Sequence, residues 1–354
     1  MGSQQTRIPV GIVGITGYTG MELLRLLLKH PVFELAAATS RQEQGKTIKD
    51  IFPQIQDQAA ADLEITPPDP ERLGDTCRLV FLAVPHGTAM DMAAKLLDRG
   101  LTVIDFSADF RLRSAEVYER WYATRHVQQH LLSEAIYGLS ELNAEAIKQA
   151  RLVANPGCYP TSILLGLYPA VSMELISSSS LIIDSKSGTS GAGRAAKLDM
   201  LFCEVYDNFK AYSLGRHRHT PEIEQELAGY AGGEVTVTFS PHLVPINRGI
   251  LSTMYAHLSP EADPQSIREA YVQFAGEHSW IRIMPPGRLP QVKMVRGTMF
   301  CDIGLVVDER TGRLIVVSAI DNLCRGASGQ ALANANLACG LHASTGLDLS
   351  PLVP

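Results

Sequence analysis

The feature that most constrains the fold of this chain is a glycine loop, GITGYTG, directly after a short apolar run at Ile8–Val13. Glycine is required where a backbone approaches a phosphate closely, and the N-terminus of a following helix favours an anion. Because a helical stripe of leucines follows the loop, the pattern predicts the first βαβ unit of a dinucleotide-binding domain. A purely structural turn is the alternative. The residues expected to contact the dinucleotide are Gly14, Thr16, Gly17, Tyr18, Thr19 and Gly20.

The residues that end the second predicted strand indicate which dinucleotide binds. They are Thr39-Ser40-Arg41. An acidic residue there would favour the ribose 2′-hydroxyl of NAD, whereas a hydroxyl followed by arginine suits the 2′-phosphate of NADP. The sequence therefore predicts NADP, with Ser40 and Arg41 as contacts, although Arg41 taken alone is also typical of a solvated loop. We expect Pro85 and His86, in the loop AVPHGTA after a later strand, to lie beside the same cofactor.

The strand-like and helical patterns divide the chain into two regions. In the first 155 residues short apolar runs alternate with amphipathic stretches, which predicts an α/β fold with a Rossmann-type doubly wound parallel sheet. From Leu181 the runs are longer and fewer helices separate them, which predicts an α+β domain with a mostly antiparallel sheet. We expect an NADP-binding Rossmann domain at 1–155, completed by the C-terminal helix 325–354, and a catalytic and dimerisation domain at 156–324. The expected strands are Ile8–Val13, Phe33–Ala38, Leu79–Val84, Leu101–Asp105, Arg151–Ala154, Leu181–Ser187, Val235–Ser240, Ile250–His257, Met299–Val307 and Leu314–Ile320.

Composition and charge exclude several classes of protein. The 354-residue chain has a formal net charge of -6 and scattered Lys and Arg, so we expect no nucleic-acid partner. No apolar run is long enough to span a bilayer, and the start MGSQQTRIPV lacks the apolar core of a signal peptide, so we expect a cytoplasmic protein without membrane association. The six cysteines include no C-x-x-C pair and no zinc-type Cys/His spacing, which predicts free thiols and no metal site.

One cysteine lies in an unusual context, the segment NPGCYPTS. Pro156-Gly157 forces a turn, and Pro160 suits the first turn of a helix, so Cys158 is expected at the positive end of that helix. A helix N-terminus or a nearby cation lowers the pKa of a thiol from its usual ~8.5, which makes Cys158 a candidate nucleophile. A buried packing residue is the alternative. Cys77, Cys301 and Cys339 are expected to be packing residues, and the sequence leaves Cys203 and Cys324 open.

A thiolate nucleophile needs a partner that handles protons, and GRHRHTPEIEQ at 215–225 supplies two histidines. In an extended segment residues two apart face the same way, so His217 and His219 are expected to point into one cleft. Thr220-Pro221 then begins a helix. Alone, such a segment is typical of a solvated basic loop, but its occurrence with an activated cysteine and an NADP site favours catalysis.

Two further segments have the composition of binding loops. IDFSADFRLR at 104–113 contains Ser107, Asp109 and Arg111, and arginine suits phosphate or carboxylate. KSGTSGAGR at 186–194 is rich in glycine and small hydroxyls, which suits backbone N–H donation to an anion. A flexible loop is the alternative for the second segment.

These parts fit one reaction class: a thiolate attacks an acyl group, a thioester forms, and hydride passes between it and a nicotinamide. Eight segments then carry a resemblance to a known family. GITGYTG, AVPHGTA, IDFSADFR, YGLSELN, NPGCYPTS, KSGTSGAGR, HRHTPEIEQ and DNLCRGASGQALANAN resemble, in order and across nearly the whole chain, the N-acetyl-gamma-glutamyl-phosphate reductase family. One position departs from the family pattern, because Ser140 stands where proline is more usual.

The resemblance implies a specific activity and specific residue roles. The reaction would be NADPH-dependent reduction of N-acetyl-L-glutamyl 5-phosphate to N-acetyl-L-glutamate 5-semialdehyde and phosphate, in L-arginine biosynthesis. Cys158 would be the nucleophile and His219 the favoured acid/base, although the sequence leaves the choice between His217 and His219 open. The implied substrate contacts are Ser107, Arg111, Ser187, His217 and Glu222, and the further cofactor contacts are Gly188, Asn322 and Gly326. A homodimer or homotetramer is expected.

Three other functions are alternatives for the same residues. An aspartate-semialdehyde dehydrogenase would share the architecture and the thioester chemistry, but HRHTPEIEQ and NPGCYPTS argue against it. A cysteine hydrolase using Cys158 and His219 without a nucleotide is disfavoured by GITGYTG. An inactive NADP-binding sensor is disfavoured because the cysteine and both histidines are retained.

Overall fold

The computed structural model describes residues 7–352, and the chain forms two compact units. The first unit comprises the residues up to Pro156 together with Ala327–Asp348, and the second comprises Gly157–Gly326 and the residues from Leu349. Among the described residues, positions 325–326 and 349–352 therefore belong to the second unit rather than to a C-terminal addition to the first. Residues 1–6, which include most of the stretch considered as a signal peptide, lie outside the described residues, as do 353 and 354.

Fourteen strands and eleven α-helices are assigned within residues 7–352. The strands are β1 Ile8–Val13, β2 Phe33–Thr39, β3 Ile65–Thr66, β4 Leu79–Leu82, β5 Thr102–Asp105, β6 Ile136–Tyr137, β7 Leu152–Ala154, β8 Leu181–Gly188, β9 Lys210–Ala211, β10 Val237–Val244, β11 Ile250–His257, β12 Ile281–Ile283, β13 Cys301–Asp308 and β14 Arg313–Ile320. The helices are α1 Tyr18–Leu27, α2 Ile48–Ile51, α3 Pro70–Thr76, α4 Met90–Asp98, α5 Ala115–Tyr122, α6 Ser140–Gln149, α7 Cys158–Ser172, α8 Phe202–Val205, α9 Thr220–Ala231, α10 Pro264–Glu277 and α11 Gly329–Ala338. None of these helices combines the length and the apolar character needed to cross a membrane.

The first unit contains a seven-stranded sheet in the order β3-β2-β1-β4-β5-β7-β6, in which every pair is parallel. From β1 the chain adds β2 and β3 on one side, and it then crosses over to add β4 on the other side of β1. The carboxyl ends of β1 and β4 therefore form the switch point at which such sheets bind ligands. The predicted doubly wound sheet and its five predicted strands are confirmed, with ends shifted by one or two residues. β3 and β6 were missed because each is two residues long and has no periodic pattern.

The glycine loop between β1 and α1 contains three glycines in three different situations. Gly14 has φ +91°, and a Cβ there would lie 2.3 Å from the carbonyl oxygen of Ala83. A Cβ on Gly20 would lie 2.6 Å from the carbonyl oxygen of Gly14. Gly17 has φ -74°, and the nearest protein atom to its Cβ position is 3.6 Å away. The fold therefore requires glycine at 14 and 20 but has room for a Cβ at 17, at an ordinary van der Waals distance.

The second unit contains a seven-stranded mixed sheet in the order β12-β13-β14-β11-β8-β10-β9. Four pairs are antiparallel, and two, β12 with β13 and β8 with β10, are parallel. The prediction of an α+β unit with a mostly antiparallel sheet is confirmed. Helix α7 packs on β11 and β14, and a Cβ on Gly166 would lie 2.6 Å from Cε of Met254, so this glycine allows close approach of the helix to the sheet.

Four buried serines fasten α7 to this sheet. Ser162 of α7 donates through Oγ to Ser252 Oγ at 3.0 Å and lies 2.7 Å from Ser318 Oγ. Ser185 Oγ lies 2.7 Å from Ser252 Oγ, and Ser318 Oγ donates to the carbonyl oxygen of Ser162 at 2.9 Å. All four side chains are fully buried, so the hydroxyls satisfy one another and fix the helix on three strands.

The opposite face of the sheet carries an apolar row of four side chains. Strand register places Tyr255 beside both Ile182 and Ile315, and Ile315 beside Val306. Their neighbours along the strands, such as Met254, point to the buried face under α7. Each side chain of the apolar row is half-buried or exposed, with Ile182 at 37% and Val306 at 40%. This row is a solvent-facing apolar surface of the second unit.

The alanine-rich sequence after Asp321 predicts a continuous helix that runs to Cys339 and stops at Gly340, and this prediction is wrong in its first part. Residues Cys324–Ser328 form a π-helical turn, and regular α-helix begins only at Gly329. The end is as predicted, since α11 stops at Ala338 and Gly340 has φ +75°. Apolar periodicity did not reveal the turn because its buried residues continue the alanine-rich pattern.

We predict that Gly14→Ala destabilises the first unit and that Gly17→Ala does not. Alanine at 14 needs a left-handed conformation costing about 1–3 kcal/mol and also collides with the Ala83 carbonyl. Alanine at 17 keeps an ordinary conformation and its methyl group meets the protein only at van der Waals distance, so its effect on the free energy of unfolding should stay within about 0.5 kcal/mol. Urea unfolding of both variants measures the difference. Equal free energies of unfolding would contradict this account of the loop.

Candidate active site

Helix α7 begins at Cys158, with Gly157 as its N-cap. The carbonyl oxygen of Gly157 accepts from the amide of Thr161 at 2.9 Å and from its Oγ1 at 3.0 Å. The amide of Gly157 donates to Oε1 of the fully buried Glu222 at 2.8 Å. Cys158 is half-buried. The expected helix start is therefore present, and the partial positive charge of the helix end stabilises negative charge at this thiol.

A second glycine lies directly against the cysteine. A Cβ on Gly326 would lie 2.8 Å from Cβ of Cys158 and 3.2 Å from its Cα. The amide of Gly326 donates to the carbonyl oxygen of Asp321 at 2.9 Å, which closes the turn that carries it. Contact with the cysteine alone explains why glycine is needed here, so the expected cofactor contact of Gly326 stays a prediction.

Asp321 organises that turn from a fully buried position. Its Oδ1 accepts from Nη2 of Arg248 at 2.9 Å and from the amides of Leu323 and Cys324, both at 2.8 Å. Its Oδ2 accepts from the amide of Gly297 at 2.7 Å. Sequence reasoning missed this residue. The available signal was a carboxylate at the end of an otherwise apolar strand, where a buried charge requires several donors.

Asn322 uses both ends of its amide within the second unit. Its Oδ1 accepts from the amide of Gly249 at 2.6 Å, and its Nδ2 donates to Ser190 Oγ at 3.0 Å. The loop that contains Ser190 begins at Gly188, where a Cβ would lie 2.7 Å from the carbonyl oxygen of Asn247. Asn322 thus holds the glycine-rich loop in place. The expected cofactor contacts of Asn322 and Gly188 stay predictions.

The two histidines lie in a turn, so the prediction of an extended segment is wrong. Their rings are nevertheless neighbours, with centroids 4.9 Å apart, and Nδ1 of His217 accepts from the amide of His219 at 3.1 Å. Burial, with a contribution from the charge of Arg218, lowers the pKa of His217 to about 4. His217 is therefore a neutral imidazole at neutral pH, with its proton on Nε2 by assignment from the hydrogen bond.

An aromatic cluster surrounds these histidines beside Cys158. The ring of Tyr159 lies edge-on to His217 at 5.5 Å and to His219 at 6.0 Å, and its hydroxyl is 2.9 Å from that of Tyr212. Burial raises the pKa of Tyr212 to about 12 and that of Tyr159 still further, and the nearby Cys158 charge adds to both shifts. Both phenols stay protonated. Sequence reasoning missed Tyr212, which lies in no motif.

In the first unit, the glycine loop and the end of β2 come together. Thr16 Oγ1 lies 3.4 Å from Ser40 Oγ, and the side chain of Arg41 is exposed. No side chain among the described residues caps Gly17, and the first turn of the helix beginning at Tyr18 has no acidic residue. A bare helix N-terminus next to an open glycine position suits a phosphate.

Ser107 and Arg111 are buried in the first unit with partners of their own. Ser107 Oγ donates to Oδ2 of Asp105 at 2.7 Å. Arg111 donates through Nε to the carbonyl oxygen of Asn155 at 2.8 Å and through Nη2 to that of Phe106 at 2.7 Å. These contacts shape the loop after β5. Roles for Ser107 and Arg111 in substrate binding stay predictions, as does that of Ser187, whose Oγ donates to Gly188 at 3.1 Å.

The other cysteines lie in different environments. Burial raises the pKa of Cys77 to about 12 and that of Cys339 to about 11, so both remain thiols at neutral pH. Cys301 and Cys324 are buried, and Cys203 is exposed. Cys77 and Cys301 are packing residues as expected, and the burial of Cys324 assigns it to the same group.

Comparison with known families places both units in one group of enzymes. The family model described as "Semialdehyde dehydrogenase, NAD binding domain" matches residues 9–150, and "Semialdehyde dehydrogenase, dimerisation domain" matches 158–322. The N-acetyl-gamma-glutamyl-phosphate reductase of Geobacter sulfurreducens is 49% identical over 98% of this chain and 100% of its own length. That of Pelotomaculum thermopropionicum is 50% identical over 98% of this chain and 99% of its own length.

Solved structures share the fold at lower identity. Aspartate semialdehyde dehydrogenase II from Vibrio cholerae, complexed with ASA, superposes with a TM-score of 0.72 at 16% identity, over 95% of this chain and 99% of that one. Aspartate semialdehyde dehydrogenase with NADP from Candida albicans has a TM-score of 0.66 at 18% identity, over 94% of this chain and 98% of that one. At such identity these likenesses establish the fold alone.

We predict that Gly326→Ala impairs catalysis by displacing Cys158. The added methyl group would meet the cysteine at 2.8 Å, and a misplacement of about 1 Å can cost on the order of 100-fold in rate. The measurements are kcat and the rate of Cys158 alkylation by iodoacetamide. Gly276→Ala in α10 is the matched control, since no atom lies within 4 Å of its Cβ position. Wild-type values for both variants would refute the proposed steric role.

Proposed function

The chain belongs to the N-acetyl-gamma-glutamyl-phosphate reductase family, and on that premise we propose that it reduces its acyl phosphate through a thioester on Cys158. It is an oxidoreductase of that class. The mechanism rests on one observation above all: a half-buried thiol lies at the N-terminus of a long helix, next to Tyr159, whose ring contacts two histidines.

The first chemical step is acyl transfer to the cysteine. The thiolate of Cys158 attacks the acyl carbon, the carbon–sulfur bond forms, and the bond to the phosphate oxygen breaks with its electron pair on phosphate. The N-terminus of α7 stabilises the thiolate before attack. The hydrogen bond from Gly157 to Glu222 keeps the turn, and with it the sulfur, in one position.

The second step is reduction of the thioester. NADPH, when bound, supplies the hydride to the thioester carbon. His219 donates a proton to the resulting oxygen and later accepts it when the carbon–sulfur bond breaks and the aldehyde leaves. His217 is unsuited to proton donation because its lowered pKa keeps it neutral, whereas its Nδ1 holds the amide of His219. The lowered pKa of His217 and its hydrogen bond support His217 as a substrate-binding and positioning residue and leave His219 as the acid/base.

The first unit would hold the dinucleotide at the carboxyl ends of β1 and β4. The open position at Gly17 and the uncapped start of α1 fit a pyrophosphate, and Ser40 with Arg41 fit a 2′-phosphate. NADP is accordingly the cofactor, in line with the NAD-binding family match. The remaining predicted contacts, Pro85 and His86, border the same switch point.

The substrate is N-acetyl-L-glutamyl 5-phosphate and the products are N-acetyl-L-glutamate 5-semialdehyde and phosphate, a conversion that belongs to L-arginine biosynthesis. We assign Ser107, Arg111, Ser187 and Glu222 to the substrate side as proposals from the family resemblance. For Glu222 the hydrogen bond to Gly157 adds a positioning role. A cytoplasmic location also stays a prediction from the sequence.

The second unit also supports self-association into a dimer. Its family match is described as a dimerisation domain, and its sheet exposes the apolar row on the face opposite α7. An apolar sheet face without a covering layer is normally buried against another surface. A second copy of the same row is the simplest partner, since two-fold symmetry pairs identical patches.

The function is tested by running the reaction backwards. We expect wild-type protein to form NADPH from N-acetylglutamate semialdehyde, phosphate and NADP, followed by absorbance. Cys158→Ser should abolish turnover and leave NADP affinity nearly unchanged, since the serine hydroxyl is a far weaker nucleophile. Gly17→Ala should weaken NADP binding while the protein stays folded. Absence of turnover by folded wild-type protein would refute the proposed reaction. Loss of NADP affinity in Cys158→Ser would contradict the assignment of acyl transfer and NADP binding to different residues.

The apolar row is tested by charge insertion. We expect wild-type protein to sediment as a dimer or larger oligomer and Val306→Glu to sediment as a monomer, because each copy would bury a carboxylate in the apolar interface. Val272→Glu, at an exposed position of α10, is the matched control and should not change the mass. An unchanged oligomer in Val306→Glu would show that this face is not the interface.

A further inference from the structure

Asp109 is fully buried, and each of its polar groups has a hydrogen-bond partner. Its amide donates to Ser107 Oγ at 3.1 Å, and its carbonyl oxygen lies 2.7 Å from Nε2 of His126. Its Oδ1 accepts from the hydroxyl of Tyr118 at 2.7 Å and from the amide of Gly87 at 2.7 Å. Its Oδ2 accepts from the amide of Ala89 at 3.0 Å. The carboxylate therefore has one fixed orientation.

Two of these donors belong to the loop that joins β4 to α4. Gly87 is in the left-handed region with φ +79°, and Ala89 is the N-cap of α4, whose own first turn has no side-chain cap. The loop starts at Ala83, whose carbonyl oxygen touches Gly14 of the glycine loop. Asp109 thus accepts two hydrogen bonds from a loop that borders the switch point of the parallel sheet.

The same loop is held at a third point. Nδ1 of His86 accepts from the amide of Ala108 at 2.9 Å, and its ring lies edge-on to Tyr122 at 5.4 Å. These partners come, like Asp109, from the segment after β5 and the helix that follows it. Pro85 in the same loop is exposed. The loop is therefore held by its two hydrogen bonds to Asp109 and by the His86 ring, while Pro85 remains accessible.

Removing a carboxylate from water costs free energy, and replacing a buried charged group by apolar side chains of similar volume often leaves a fold equally stable. Here two of the three donors to the carboxylate are loop amides, which an apolar side chain could not orient. The arrangement is suited to setting backbone geometry with sub-ångström precision, which matters where backbone meets a ligand.

We propose that Asp109 is a positioning residue for cofactor binding, which holds the loop 85–89 in the shape that the dinucleotide requires. The inference rests on the proposed NADP-dependent function. It adds a residue that touches neither cofactor nor substrate but acts through the amides of Gly87 and Ala89.

The test compares NADP affinity with turnover in Asp109→Asn. An asparagine keeps the volume but offers one acceptor oxygen and turns an N–H donor toward the second amide, so one loop amide loses its partner. We expect the Kd for NADP to rise about tenfold or more. We expect kcat at saturating NADPH and the rate of Cys158 alkylation to change less than about threefold. A purely structural role would lower the melting temperature without this split between affinity and kcat.

Two controls separate loop geometry from general stability. Tyr118→Phe removes one donor and leaves both loop amides paired, so its Kd should stay near wild type. Ser114→Ala removes the N-cap hydrogen bond of α5 to Val117 and should lower stability without raising Kd. A Kd increase in Ser114→Ala equal to that in Asp109→Asn would overturn the proposal.

Hydrogen exchange on the wild-type protein decides the matter if Asp109→Asn does not fold. The amides of Gly87 and Ala89 should be protected without NADP, because Asp109 already holds them. Rapid exchange of both would overturn the proposal. Wild-type protein that binds no NADP would overturn the proposed function itself, whereas normal wild-type binding with unchanged affinity in folded Asp109→Asn would overturn this inference alone.

Discussion

The position of Cys158 depends on the buried hydrogen bond between the amide of Gly157 and the carboxylate of Glu222. That bond links the start of α7 to α9, which follows directly after the two histidines. Farther along α7, the four serine hydroxyls hold the helix on the sheet, and Gly326 closes over the cysteine. Cys158 and the two histidines are therefore placed by interactions within one unit, so the packing of that unit sets the geometry of the proposed chemistry.

Glycine serves two different purposes in this chain. At 14, 20 and 326 a Cβ would collide with backbone or with the nucleophile, so glycine is a requirement of the fold. At Gly17 a Cβ would lie 3.6 Å from the nearest protein atom, an ordinary van der Waals distance, so the fold leaves room there for the proposed pyrophosphate contact. In the sequence these glycines look equivalent. The distances from each Cβ position to neighbouring atoms show which glycines the fold itself requires and which it does not.

Two buried aspartates use the same device. Asp321 and Asp109 each accept from several backbone amides and thereby fix an irregular turn that no periodic structure would hold. Charge is tolerated in the interior only when donors surround it, so such residues mark turns whose shape matters. One turn carries Gly326 against Cys158, and the other borders the switch point of the parallel sheet.

The sequence by itself determined the fold class, the main strands and the start of α7 at Cys158, because apolar periodicity and Pro/Gly signals are local. It did not reveal the two-residue strands, the turn of His217 and His219, or the roles of Asp321 and Tyr212. Only the tertiary structure decided those, since they depend on contacts between residues far apart in the chain, and the pKa of His217 is lowered chiefly by its burial, with a contribution from the charge of Arg218.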